Sequence, residues 1–96
     1  MSGGYFNYDQ HRIGNIADDI DTLINSNDSE ERDRWGDRLG HGYPPEVIAR
    51  FREAVSALRR AEVYAQRVDW LVSGDDGEGA FLERLAEELG ALERRG

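Results

Sequence analysis

The side chains best placed to do chemistry are carboxylates at helical spacing: Asp18, Asp19 and Asp21 early in the chain, Glu83, Glu87 and Glu88 late in it. At about 100° per residue, Asp18 and Asp21 share one flank of a helix while Asp19 takes the other. Glu83 and Glu87 point outward together. An i,i+4 glutamate pair costs roughly a few tenths of a kcal/mol in an isolated helix, so it calls for a nearby arginine or a task. One task is mimicry of phosphates, with spaced carboxylates offered to a cationic groove; the plain alternative is a solvated acidic face. A second task is magnesium binding, as in all-α nucleotide hydrolases that set acid pairs on facing helices. That chemistry needs four convergent carboxylates, and these are expected to face outward.

Other catalytic signals are weak. His11 and His41 lie 30 residues apart with no cysteine and no nucleophile in register. Asp75-Asp76-Gly77-Glu78 has the look of a calcium loop, but an EF-hand starting at Asp75 needs glycine where Ala80 stands. No cofactor and no metal are expected, and the chain reads as a binder, not an enzyme. Arg52, Arg59, Arg60 and Arg67 form a stripe with Val63 and Trp70 among them, a pattern that can contact nucleic acid. Glu53 borders that stripe and the chain is acidic, so pairing with the acidic helices, within one chain or across a dimer, is the better reading. Tyr5, Phe6, Tyr8, Trp35 and Tyr43 suit either the ends of a small bundle or a partner interface. Of these, Trp35 and Tyr43 join the six acids as expected partner contacts.

Helices must position these groups. Ile13, Ile16, Ala17, Ile20, Leu23 and Ile24 recur on one face and predict a helix over 8–25, with Asn7 and Gln10 as a capping box. Gly14 inside it points to close approach by a neighbour. Asp28 and Glu31 form a second capping-box pattern, predicting a short helix over 29–36 that carries Trp35. Residues 36–43, with three glycines, read as a loop. Pro44-Pro45 starts the main element, unbroken to Ser73, a rod of about 42 Å. Its apolar stripe runs through Ile48, Phe51, Val55 and Leu58, then Ala61, Ala65, Val68 and Val72; the alanines would let another helix come close. After the turn at 73–79 a last helix, about 79–94, carries Phe81, Leu82, Leu85, Leu89 and Leu92 on one face, with Arg94 and Arg95 complementing its dipole. The expected fold is all-α: a small bundle of three main helices plus one short helix, the long helix its spine, in one domain over 1–96.

Composition narrows the partners. A chain of 96 residues buries only about 60–65% of its unfolded surface, so self-association is a natural supplement and a homodimer fits. There is no cysteine, which removes disulfides and thiolate metal sites and suits a reducing cytoplasm. The start, Met1-Ser2-Gly3-Gly4-Tyr5, lacks the basic and apolar regions of a signal peptide, and no apolar run is long enough for a membrane span. Twenty acids against twelve arginines, with no lysine, give a net charge of −8. That charge opposes direct binding to nucleic acid or anionic membrane and favours a protein with a basic groove. The charge runs acidic over 1–31, basic over 32–60 and acidic again over 61–96.

In size, charge and helicity, and in arginine-rich pieces such as Phe51-Arg52-Glu53-Ala54-Val55 beside Val68-Asp69-Trp70-Leu71, the chain resembles small acidic proteins of bacteriophages and mobile elements. Anti-CRISPR inhibitors are of this type, and some mimic DNA with acidic surfaces. The resemblance implies a stoichiometric inhibitor of a host nucleic-acid-handling complex in the bacterial cytoplasm, a type I CRISPR surveillance complex above all. It carries no residue role over. Two rivals stand beside it: a self-associating assembly protein seamed along Ala61 to Val72, and a metal-dependent nucleotide hydrolase.

Overall fold

A computed structural model describes residues 5–95, the Arg95 side chain excepted. The reading of Met1 to Gly4 as free of a signal peptide, and the dipole role of Arg95, fall outside what is described. Three helices follow in order: α1 (Gln10–Asn25), α2 (Pro45–Val72) and α3 (Glu78–Arg95). The described residues contain no strand, only an isolated antiparallel bridge between Arg32 and Arg38.

The helix starts do not follow the capping boxes. Asn7 and Tyr8 take left-handed backbone angles (φ 57° and 67°), so α1 begins at Gln10, behind an Asp9 whose side chain makes no cap bond. Instead Gln10 turns inward and donates from Nε2 to Gln66 Oε1 at 3.0 Å. α2 starts at a proline, as the sequence suggests. It ends where Gly74, at φ 86°, takes the left-handed position that a side chain would strain.

The short helix over 29–36 does not form. Polar side chains there bond to the local backbone and outcompete it. Ser29 Oγ accepts the Glu31 N–H at 3.2 Å, and Asp33 Oδ1 accepts the N–H groups of Trp35 and Asp37 at 2.9 and 3.0 Å. Gly36, at φ 88°, completes the reversal. The result is a braced loop over 26–44. Asn27 clamps its base, accepting the Tyr43 N–H on Oδ1 at 2.8 Å and donating from Nδ2 to the Tyr43 carbonyl at 3.0 Å.

α1 and α3 each run antiparallel to α2, but their backbones stay apart from one another. On α2, Ile48, Arg59, Glu62, Gln66 and Asp69 face α1, whereas Arg60 and Arg67 face α3. These two lines lie about 120° apart around the helix, too far for the outer helices to meet. The expected closed bundle is therefore replaced by one layer of three helices, 54 × 30 × 14 Å in extent. Burial is correspondingly thin: among the described residues Ala17 and Ile48 are the buried apolar ones, and no large side chain is fully enclosed.

Polar contacts hold much of the layer together. Gly14 lets the Glu62 carboxylate lie against its backbone, where a Cβ would collide with it. Asp69, buried, accepts the N–H groups of Tyr5 and Phe6 on Oδ1 at 2.6 and 2.9 Å, tying the start of the chain to the end of α2.

Candidate protein-binding site

Asp18 and Asp21 do share a flank of α1, but that flank meets Arg59. The guanidinium donates to Asp18 Oδ1 at 2.6 Å and to Asp21 Oδ2 at 3.2 Å. The hydrogen bond to Asp18 raises the Arg59 pKa, with lesser support from the charges of both aspartates against some desolvation. Arginine stays protonated throughout the working range regardless. Both carboxylates are well exposed, so the pairs contribute at most about 1 kcal/mol. They nevertheless leave these two acids partly neutralised.

Glu88 is likewise engaged. Its Oε1 lies 2.6 Å from Arg67 Nε, a close ionic contact without hydrogen-bond alignment. Arg67 also donates from Nη1 to Asp76 Oδ2 at 3.1 Å and lies 4.1 Å over the Trp70 ring. Arg84 donates from Nη1 to Asp76 Oδ1 at 3.0 Å, completing a hub between α2, the turn and α3. Arg60 reaches Glu93 at 3.8 Å. Three of the four arginines in the stripe thus pair with outer-helix acids within one chain.

Of the six acids expected to meet a partner, those left open are Asp19 on α1 and Glu83 and Glu87 on α3, all exposed. They stand on opposite edges of the layer, with α2 between them. Asp18, Asp21, Glu83 and Glu87 consequently do not converge, and the described residues include no His, Asp and Glu group suited to a metal ion. The histidines also lie at opposite ends. His11 lines an open groove of about 350 Å³ with Glu62, Trp70 and Glu88, while His41 stacks on Tyr43 at 5.2 Å.

Trp35 is the most prominent aromatic, 74% exposed at the tip of the Asp33–Asp37 reversal with the Arg34 guanidinium 5.0 Å from its ring centre. Tyr43 sits at the base of the same loop, edge-on to Phe51 at 5.5 Å and half-exposed. The two therefore belong to one braced element.

The helical periods misassigned a second surface. Ile16, Leu23, Val72 and Leu82, expected in the core, are 50%, 37%, 55% and 66% exposed. One groove joins Ile13 to Ala65 and another joins Val72 to Phe81 and Leu82, so the apolar positions of all three helices open on one side of the layer. The groove holding His11, Val63 and Trp70 opens on the other. Among the described residues no helix is long and apolar enough to cross a membrane. No protein-family model, curated protein or solved structure matches this chain.

Proposed function

We propose that this chain is a non-catalytic protein-binding inhibitor that docks against a basic groove of a nucleic-acid-handling partner. The observation that carries the reading is the pairing of open acidic edges with a rigidly presented tryptophan. Glu83 and Glu87 face solvent together on α3, and Asp19 does so on α1. Trp35 is offered on a loop whose own hydrogen bonds fix it, so little ordering entropy is lost when it docks. Carboxylates steer the encounter, and a buried aromatic holds the complex. Asp18, Asp21 and Glu88 contribute field more than direct contacts, because arginines already engage them. The likeness to anti-CRISPR proteins gives the most specific form, a blocker of DNA binding by a type I CRISPR surveillance complex in the bacterial cytoplasm.

The test is a competition assay in which purified protein displaces labelled target DNA from such a complex. Glu83→Arg with Glu87→Arg should weaken displacement and remove its salt dependence. Trp35→Ala should weaken binding by about thirtyfold, the equivalent of a 2 kcal/mol anchor. It should leave thermal stability within about 0.5 kcal/mol of the parent, since the indole buries little. Unchanged DNA binding at saturating protein removes the CRISPR form of the reading. Retention of a single partner from bacterial lysate that is indifferent to both sets of substitutions removes the acidic-groove reading itself.

A further inference from the structure

The open apolar side of the layer points to a definite occupant. Along α2, Val47, Phe51, Ala54, Leu58, Ala61, Ala65, Val68 and Val72 follow one another at alternating spacings of four and three. This is the 3.5-residue repeat of a helix seam, and none of its positions is charged. The lines of α2 that meet α1 and α3 lie to either side of it, carried by Ile48, Gln66 and Asp69 on one flank and by Arg60 and Arg67 on the other. From Ala54 to Val72 the described residues of the same chain cover the seam only at its margins, where Ala65 borders Phe6 and Ile13 and Val72 borders Phe81 and Leu82. Ala61 is exposed outright, and the small side chains there would allow two helix backbones to approach closely.

The missing area is of dimer size. A compact protein of 10.9 kDa exposes about 5,600 Å², whereas this chain exposes 6996 Å². Covering the excess, about 1,400 Å² on each of two copies, amounts to about 2,800 Å², within the range of obligate homodimers. The radius of gyration, 17.4 Å against about 12.5 Å for a compact chain of this length, describes the same deficit as shape. Domains bury apolar faces between two packed layers, and a single layer with one apolar side lacks its second layer.

We infer that a second copy of this chain supplies that layer, with the α2 seams of the two copies crossing near Ala61 and Ala65 about a two-fold axis. An isologous contact places the same patch on both sides. It also spares the charge: with Ile16, Leu23, Val72 and Leu82 covered, the acidic residues Glu83 and Glu87 and the Trp35 loop are not part of the seam. The dimer would thus carry two copies of the partner-binding elements, an arrangement that does not depend on what the partner is.

Sedimentation velocity or light scattering of the full chain at tens of micromolar tests this. The expected result is a mass twice the 10.9 kDa of one chain, little affected by salt because the seam is uncharged. Ala61→Glu should weaken association by about a hundredfold or more, since it buries two facing carboxylates. As Ala61 is exposed within its own chain, helix content should persist. Ser56→Glu, an exposed position on the other side of α2, adds the same charge and should leave the mass unchanged. A monomeric parent with native helicity, or an Ala61→Glu protein that remains dimeric, overturns the inference. Neither outcome bears on the acidic-groove reading, whose test is salt-sensitive and uses other residues.

Discussion

Replacing Asp76 by alanine is expected to lower the unfolding free energy by about 3 kcal/mol, at the lower end of the loss seen when one member of a buried ion pair is removed. Asp76 and Arg67 have side chains only 3% and 8% exposed, and Arg67 cannot shed its proton when its partner is lost. Glu88, 2.6 Å from Nε, still compensates part of that charge, which is why the expectation sits at the low end. Arg84 touches the same carboxylate but is 56% exposed, so Arg84→Ala should cost no more than about 1 kcal/mol. Urea titration followed by far-ultraviolet circular dichroism, at one protein concentration, separates the two. For a domain of this length about 3 kcal/mol is a large share of total stability. The loss should also fall first on α3, because Arg67 and Arg60 are its ionic ties to α2. Partner binding through Glu83 and Glu87 would then fail before the α1–α2 pair unfolds. A cost below about 1 kcal/mol for Asp76→Ala would mean that water reaches Arg67 and that the hub is not buried as described.

That hub shows where sequence reasoning reaches its limit. Asp75-Asp76-Gly77-Glu78 is visible as a polar turn and fails as a calcium loop, yet nothing local tells that Asp76, and not Asp75, turns inward. Burial depends on α3 folding back over the turn, and that is decided by Arg67, nine residues earlier. The three main helices were legible because an apolar period of 3.6 and the Pro44-Pro45 start are local signals. The 29–36 segment was misread for the opposite reason. Asp28 and Glu31 satisfy a capping-box pattern, but Ser29 and Asp33 offer the same backbone N–H groups a different set of acceptors. That the arginine stripe pairs with outer-helix acids was legible from charge alone, but that Arg59 takes Asp18 and Asp21, which were expected to face a partner, was not.

What a period cannot give is the angle between neighbours. It identifies an apolar face on each helix, and the economical expectation is that three such faces meet in one core. Here the α1-facing line of α2 is largely polar from Arg59 onward, with Glu62 lying against Gly14 and with Gln66 and Asp69 each hydrogen-bonded to a particular group. α1 is therefore fixed to a polar flank, and its Ile16 and Leu23 are left beside the alanine seam instead of beneath α3. The candidate site inherits the same division. Its acids lie on separate edges because the layer never closes, and its apolar side is open for the same reason. A surface of this kind is rare on a monomer unless something covers it.

Gly40→Ala is expected to cost about 1–3 kcal/mol, the usual range for forcing extra volume into a closed space. A Cβ there would stand 2.6–2.7 Å from the carbonyl oxygens of Ser26, Asn27 and Ser29, all of them backbone atoms that cannot swing aside. The backbone angle is not the problem, since Gly40 has no positive φ; close approach alone demands glycine. Displacing those carbonyls would also strain the Asn27 clamp on Tyr43 and the 2.9 Å bond from the Gly42 N–H to the Asn27 carbonyl. A melting-point loss of about 4–8 °C per kcal/mol is expected for a domain of this size. Gly79→Ala provides the contrast. It lies in the first turn of α3 with nothing near its Cβ position, so it should be neutral or stabilising by up to about 1 kcal/mol. Amide hydrogen exchange locates the effect: in Gly40→Ala the Tyr43 and Gly42 amides should exchange faster, with those in the middle of α2 following only global stability. Unchanged protection at Tyr43 would show that the loop relaxes around the methyl group, and that Trp35 is presented by a softer element than its hydrogen bonds imply. Faster exchange confined to the loop, together with weaker partner binding, would instead tie the rigidity of residues 26–44 directly to the docking of Trp35.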